Sequence, residues 1–104
     1  MIIVRGQMRW DSDFPTPLSD LARLAGEVRS RHEGNITYRF SVDAGSPSTL
    51  YLDEARTALE FFHKHGQTPE VAQIRKVLAP GAKEIALEIH DVASTTQVPV
   101  NLGA

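Results

Sequence analysis

The chain contains no cysteine, which excludes a disulfide framework, a thiolate zinc site and an iron–sulfur cluster together. It also lacks any apolar run near the ~20 residues that a membrane span requires. The apolar opening, Met1 to Val4, is too short for a signal h-region and runs straight into Arg5, so a cytoplasmic protein is expected. Excess charge of one sign is missing as well. The net charge is -2 with lysine and arginine scattered, which argues against nucleic acid or an anionic membrane as partner. No phosphate-cradling glycine loop or flavin fingerprint occurs.

What is present suits one globular domain. A chain of 104 residues with 41% apolar content supports a single core and no more. Ile2 to Trp10 alternates, with Ile2, Val4, Met8 and Trp10 on one parity, the period of a strand. Thr16-Pro17 predicts a helix start, a hydroxyl N-cap followed by proline at the first helical position. Leu18, Leu21, Ala22, Ala25 and Val28 then fall at helical spacing up to Arg31, and Gly34 terminates. Ile36, Tyr38, Phe40 and Val42 alternate in a second strand, and the turn residues 43–48 lead back into a third over Thr49–Glu54. Helix formers from Ala55 to Lys64 present Ala55, Ala58, Leu59 and Phe62 on one face, and Gly66 ends them. Thr68-Pro69 repeats the capping signature and opens a short helix with Val71, Ile74 and Leu78 inward. After Pro80-Gly81, Lys83 to Val92 alternates as a last strand.

The resulting order predicts an α+β, ferredoxin-like split βαβ fold (βαββαβ) with a four-stranded antiparallel sheet and helices on one face. Residues 1–92 form the domain and 93–104 a C-terminal tail or dimer arm. The helix-free face carries Arg5, Gln7, Arg9, Thr37, Arg39, Thr49, Tyr51, Glu84, Ala86, Glu88 and His90. A mixed set of this kind is self-complementary and predicts a homodimer through the sheet face.

His63-Lys64-His65 invites a metal reading. On a helix, however, residues two apart are splayed by about 200°, so the pair cannot chelate, and no third ligand accompanies it. No metal is expected. On the helical wheel His65 lies about 60° from the apolar face and His63 about 100° away on the other flank. His65 is therefore the candidate general base or hydrogen-bond donor, and His63 a solvated residue.

Certain stretches resemble the antibiotic-biosynthesis-monooxygenase (ABM-like) domains, small ferredoxin-like proteins that form dimeric α/β barrels. MIIVRGQMRW is similar to their opening strand and EGNITYRF to the start of their second strand. Glu54-Ala55-Arg56, Phe62-His63-Lys64-His65 and Thr68-Pro69-Glu70-Val71 follow their spacing, with Arg56 where a tryptophan is usual and Glu70 in place of a second histidine. The resemblance implies oxidation of a small aromatic, phenolic or quinol-like substrate by O₂ with no cofactor. His65 is then the catalytic residue, and Trp10, Tyr38, Glu54, Arg56, Phe62 and Arg75 contact the substrate. The haem-degrading branch pairs a strand-one asparagine with the tryptophan, and Arg5 and Gln7 stand there instead, which disfavours haem. The alternatives on the same fold are a non-catalytic small-ligand-binding or dimerisation module, and an isomerase or cyclase.

Overall fold

A computed structural model of the protein describes residues 1–12, 14 and 17–103. Seven elements follow in order: β1 (Ile2–Trp10), α1 (Leu18–Arg31), β2 (Asn35–Asp43), β3 (Ser46–Arg56), α2 (Leu59–His65), α3 (Pro69–Leu78) and β4 (Ala82–Asp91). The strands form one antiparallel sheet in the order β2-β3-β1-β4. This is the expected α+β ferredoxin-like topology: β1 and β2 sandwich β3, and the helices lie on one face.

Period-2 alternation in β1 buries Ile2, Val4, Met8 and Trp10 and leaves Arg5, Gln7 and Arg9 exposed. The core lies between this inner parity and the helices, with Met8, Leu21, Val28, Leu50 and Ile74 almost wholly buried. Each such aliphatic side chain contributes about 1.5–3 kcal/mol through lost apolar exposure. Gly34 ends the α1 connection at φ 76, a conformation open to glycine, and the ring of Phe61 occupies the space a Cβ would need. At the opposite end of the sheet, the Trp10 indole N–H donates to the Pro80 carbonyl (3.0 Å) just before the Gly81 turn.

Several local expectations are corrected. The third strand does not stop at Glu54: Ala55 and Arg56 stay in β3, where Arg56 pairs with Ile2 on β1 and Asn35 on β2. Pairing on both sides of a central strand overrides the helix preference of the residues from Ala55 onward, so α2 begins only at Leu59. In α1 the buried face uses Leu24, while Leu18 and Ala22 are exposed. Pro17 occupies the N-cap position of α1, not the first helical one, and Thr16 lies outside the described residues. Ile36 is exposed because the β2–β3 register shifts between Asn35 and Thr37. Thr68 precedes Pro69 at the start of α3 as expected, but its hydroxyl makes no cap bond. Instead it donates to the carbonyl of His65 (2.7 Å), tying the end of α2 to the start of α3.

The edge strand β4 differs from its neighbours. Its inner-parity residues Ile85, Leu87 and Ile89 are 65%, 53% and 45% exposed, because no helix reaches across them. No helix among the described residues is long and apolar enough to cross a membrane. Residues 92–103 adopt no helix or strand and leave Val98, Val100 and Leu102 open to solvent.

Candidate active site

The gap that the helices leave over β1 and β4 is a cavity of about 400 Å³, within the range of small-molecule sites. Its apolar wall includes Met8, Phe40, Leu52, Phe62, Ile74 and Leu87. Gly6 is part of the floor, and a Cβ there would come within 3.2 Å of both Leu52 and Leu87. Part of the room thus exists because β1 carries no side chain at that point.

One end of the cavity is polar, and β3 builds it. Leu50, Leu52, Glu54 and Arg56 share the inner parity of the strand, so the strand that fills the core with two leucines then presents a carboxylate and a guanidinium. Tyr38 on β2 lies opposite Glu54 in the register. All three side chains are buried and all line the cavity. The Nε–H of Arg56 donates to Oε1 of Glu54 and its Nη1–H to Nδ1 of His65. Among the described residues, Glu54 Oε2, Arg56 Nη2 and the Tyr38 hydroxyl have no hydrogen-bond partner in the protein.

The electrostatics follow from this burial. Loss of water raises the Glu54 carboxyl above the usual carboxylate range, opposed by Arg56 beside it. Burial, reinforced by the charge of Glu54, raises the Tyr38 phenol and keeps it protonated. The His65 imidazole is held below its ordinary value, first by burial and then by His32, Arg56 and Lys64, with Glu33 opposing.

Of the residues singled out in the sequence, Tyr38, Glu54, Arg56, Phe62 and Arg75 are brought together around the cavity. Trp10 is not among them: it is 3% exposed and packs edge-on against Phe14 with ring centres 4.7 Å apart. The two histidines part as helical geometry requires, but with roles exchanged. His63 is exposed and lines the cavity rim. His65 is buried behind Arg56, its ring 4.2 Å from that of His32 and 5.9 Å from that of Phe61. The exchange arises because Ala55 belongs to β3, so the face reckoned from it is not the face that α2 turns inward. Among the described residues no group of three or more histidine, aspartate or glutamate side chains forms a metal site.

Sequence reasoning missed His32, Glu70 and Thr68 as a set. His32 Nε2 lies 3.2 Å from Glu70 Oε2 and 3.3 Å from Thr68 Oγ1, and Arg31 reaches the other oxygen of Glu70 at 3.4 Å. The two segments concerned, the end of α1 and the start of α3, are 36 to 38 residues apart in sequence, and no local pattern joins them. The one available hint was Glu70 itself, standing where a second histidine is usual.

Fold and cavity together define a ferredoxin-like α+β domain with a ligand-sized site between its sheet and its second and third helices. Solved structures of this class are close in shape. A "putative antibiotic biosynthesis monooxygenase" from Deinococcus radiodurans superposes with a TM-score of 0.77 at 19% identity, covering 96% of this chain and 100% of its own. One of the same description from Nitrosomonas europaea gives 0.77 at 18%, covering 90% and 100%. SnoaB, a cofactor-independent oxygenase from Streptomyces nogalater, gives 0.73 at 12%, covering 90% and 94%. In fold, the chain is similar to these structures. No protein-family model and no curated protein matches the sequence.

Proposed function

We propose that the cavity binds a small aromatic, phenolic or quinol-like molecule and that the protein oxidises it with O₂ without a cofactor. One observation carries the reading: three unpaired polar groups, Tyr38 O–H, Glu54 Oε2 and Arg56 Nη2, belong to one end of an otherwise apolar cavity of about 400 Å³. The apolar wall suits a flat ring. The Glu54 carboxylate, made more basic by burial, takes the proton of a phenol or an activated CH₂. Arg56 and Tyr38 stabilise the resulting oxyanion. For an anthrone-like substrate the CH₂ becomes C=O: one oxygen atom enters the product and the other leaves as water. The substrate supplies all four electrons, so no external reductant is needed. SnoaB, with the same fold, is a cofactor-independent oxygenase.

Oxygen uptake with a panel of hydroquinones and anthrone-like phenols tests this, wild type against Glu54→Gln. Uptake above the protein-free rate that Glu54→Gln abolishes supports it; uptake at the protein-free rate across the panel overturns it. A second reading, a non-catalytic ligand-binding module, is favoured by one fact: Glu54 is already paired with Arg56. Tight binding without oxygen uptake is its signature.

The assembly reading is a homodimer through the helix-free sheet face, working in the cytoplasm. Opposite residues across the sheet run Arg39, Asp53, Arg5, Glu88, an alternation of charge that a two-fold copy complements. Residues 93–104, with exposed Val98, Val100 and Leu102, serve as an arm onto the partner.

A further inference from the structure

The cluster behind Arg56 is built to hold one protonation state, and its hydrogen-bond directions identify that state. An arginine can only donate, so Nδ1 of His65, which receives Arg56 Nη1–H, carries no proton, and neutral His65 carries its proton on Nε2. The hydroxyl of Thr68 has one hydrogen, spent on the His65 carbonyl at 2.7 Å. Towards His32 Nε2 (3.3 Å) its oxygen can therefore only accept, as can the Glu70 carboxylate (3.2 Å). The His32 proton thus sits on Nε2, and this leaves the buried Nδ1, which has no partner, without a hydrogen to satisfy.

We propose that His65 is a positioning residue: with His32 tilted against it from behind and oriented by Glu70 and Thr68, it fixes the Arg56 guanidinium at the polar end of the cavity, and acid releases that lock. The proposal rests on the cavity being the ligand site and adds how its key cation is held and when it is let go. Glu54 takes one edge of the guanidinium and His65 the next, leaving Nη2 for a ligand. A proton on His65 Nδ1 removes the acceptor and sets an imidazolium against Arg56. The charged and titratable groups around His65 are Glu54 and Arg56 on β3, Arg31 at the end of α1, His32 and Glu33 after it, Lys64 on α2 and Glu70 on α3. Burial and the nearby cations place the release below the ordinary imidazole range.

Two measurements test the lock, one of which needs no ligand. Side-chain nitrogen NMR of the wild type at neutral pH is expected to show His65 bare at Nδ1 and protonated at Nε2, with the pattern lost on acidification. A proton on His65 Nδ1 at neutral pH overturns the proposal outright. The second measurement is the affinity for hydroquinone, which stays un-ionised from about pH 5 to about pH 8 because phenols titrate near 10. His65→Asn places an amide oxygen where Nδ1 was but cannot titrate. It is expected to keep the neutral-pH affinity and to lose the acid fall-off, while His65→Leu weakens binding about tenfold at all pH values, the loss of one held donor. Equal behaviour of the two variants overturns the positioning role. A wild type that shows the expected tautomer yet binds no hydroquinone overturns the ligand-site reading and leaves the lock standing.

Discussion

Arg56 joins the buried carboxylate of the site to its buried imidazole. It is 1% exposed, pairs with a Glu54 that is 4% exposed, and holds His65. A buried ion pair is costly to assemble and more costly to break, because removing one partner strands the other charge. Arg56→Ala is therefore expected to destabilise the protein by about 3–5 kcal/mol, read from urea unfolding. Arg56→Ala with Glu54→Gln recovers part of that loss, and a double variant no more stable than Arg56→Ala counts against the pairing. The imidazole adds a pH dependence whose sign is defined. The folded protein lowers the His65 pKa, so the unfolded chain binds that proton more readily. The stabilisation is complete above about 6.5 and is lost as pH falls from there towards the folded value. Glu70, lowered first by its bond to His32, adds stability above about 4.5 that disappears through the acid range below it. The difference in urea midpoint between pH 8 and pH 5 should shrink in His65→Asn; an unchanged difference assigns the slope elsewhere.

Among the elements, β3 carries both structure and chemistry. Its alternation places leucines under the helices and then continues two residues past the point where helix propensity takes over in sequence. Tyr38, Glu54, Arg56, Phe62 and Arg75 could be singled out beforehand because parity and the resemblance both pointed at the same gap. The behaviour of His65 could not, since it depends on where β3 yields to α2 and that boundary is set by pairing with β1 and β2. On β1, the bare Gly6 sets the cavity's depth. Gly6→Val is expected to fill the space between Leu52 and Leu87 and to abolish hydroquinone binding, with about 1–3 kcal/mol of destabilisation from overpacking. Calorimetric titration beside a thermal melt separates the two effects. Binding retained at wild-type affinity would place the ligand elsewhere.

At the scale of the whole molecule, helices on one side leave two surfaces unfilled: the charged outer face of the sheet and the apolar strip of β4. The outer face holds Arg5, Arg9 and Arg39 against Asp53, Glu84 and Glu88, with Arg9 and Glu84 already 2.7 Å apart. If this face closes a dimer, Asp53→Arg leaves three like charges side by side, at positions 39, 53 and 5, facing a partner's same three. Sedimentation at micromolar concentration should then show a monomer where the wild type shows a dimer. A monomeric wild type would sink the sheet-face interface.

Element order and the inner parity of β1 were legible in the residues alone, because alternation, helical spacing and turn residues are local properties of a chain. The same holds for the exclusion of a thiolate site and for the separation of His63 from His65. Which of those two histidines meets the cavity was not local, nor was the union of His32, Glu70 and Thr68. Those outcomes depend on long-range strand pairing and on the packing of α1 against α3, which bring together side chains up to 38 positions apart.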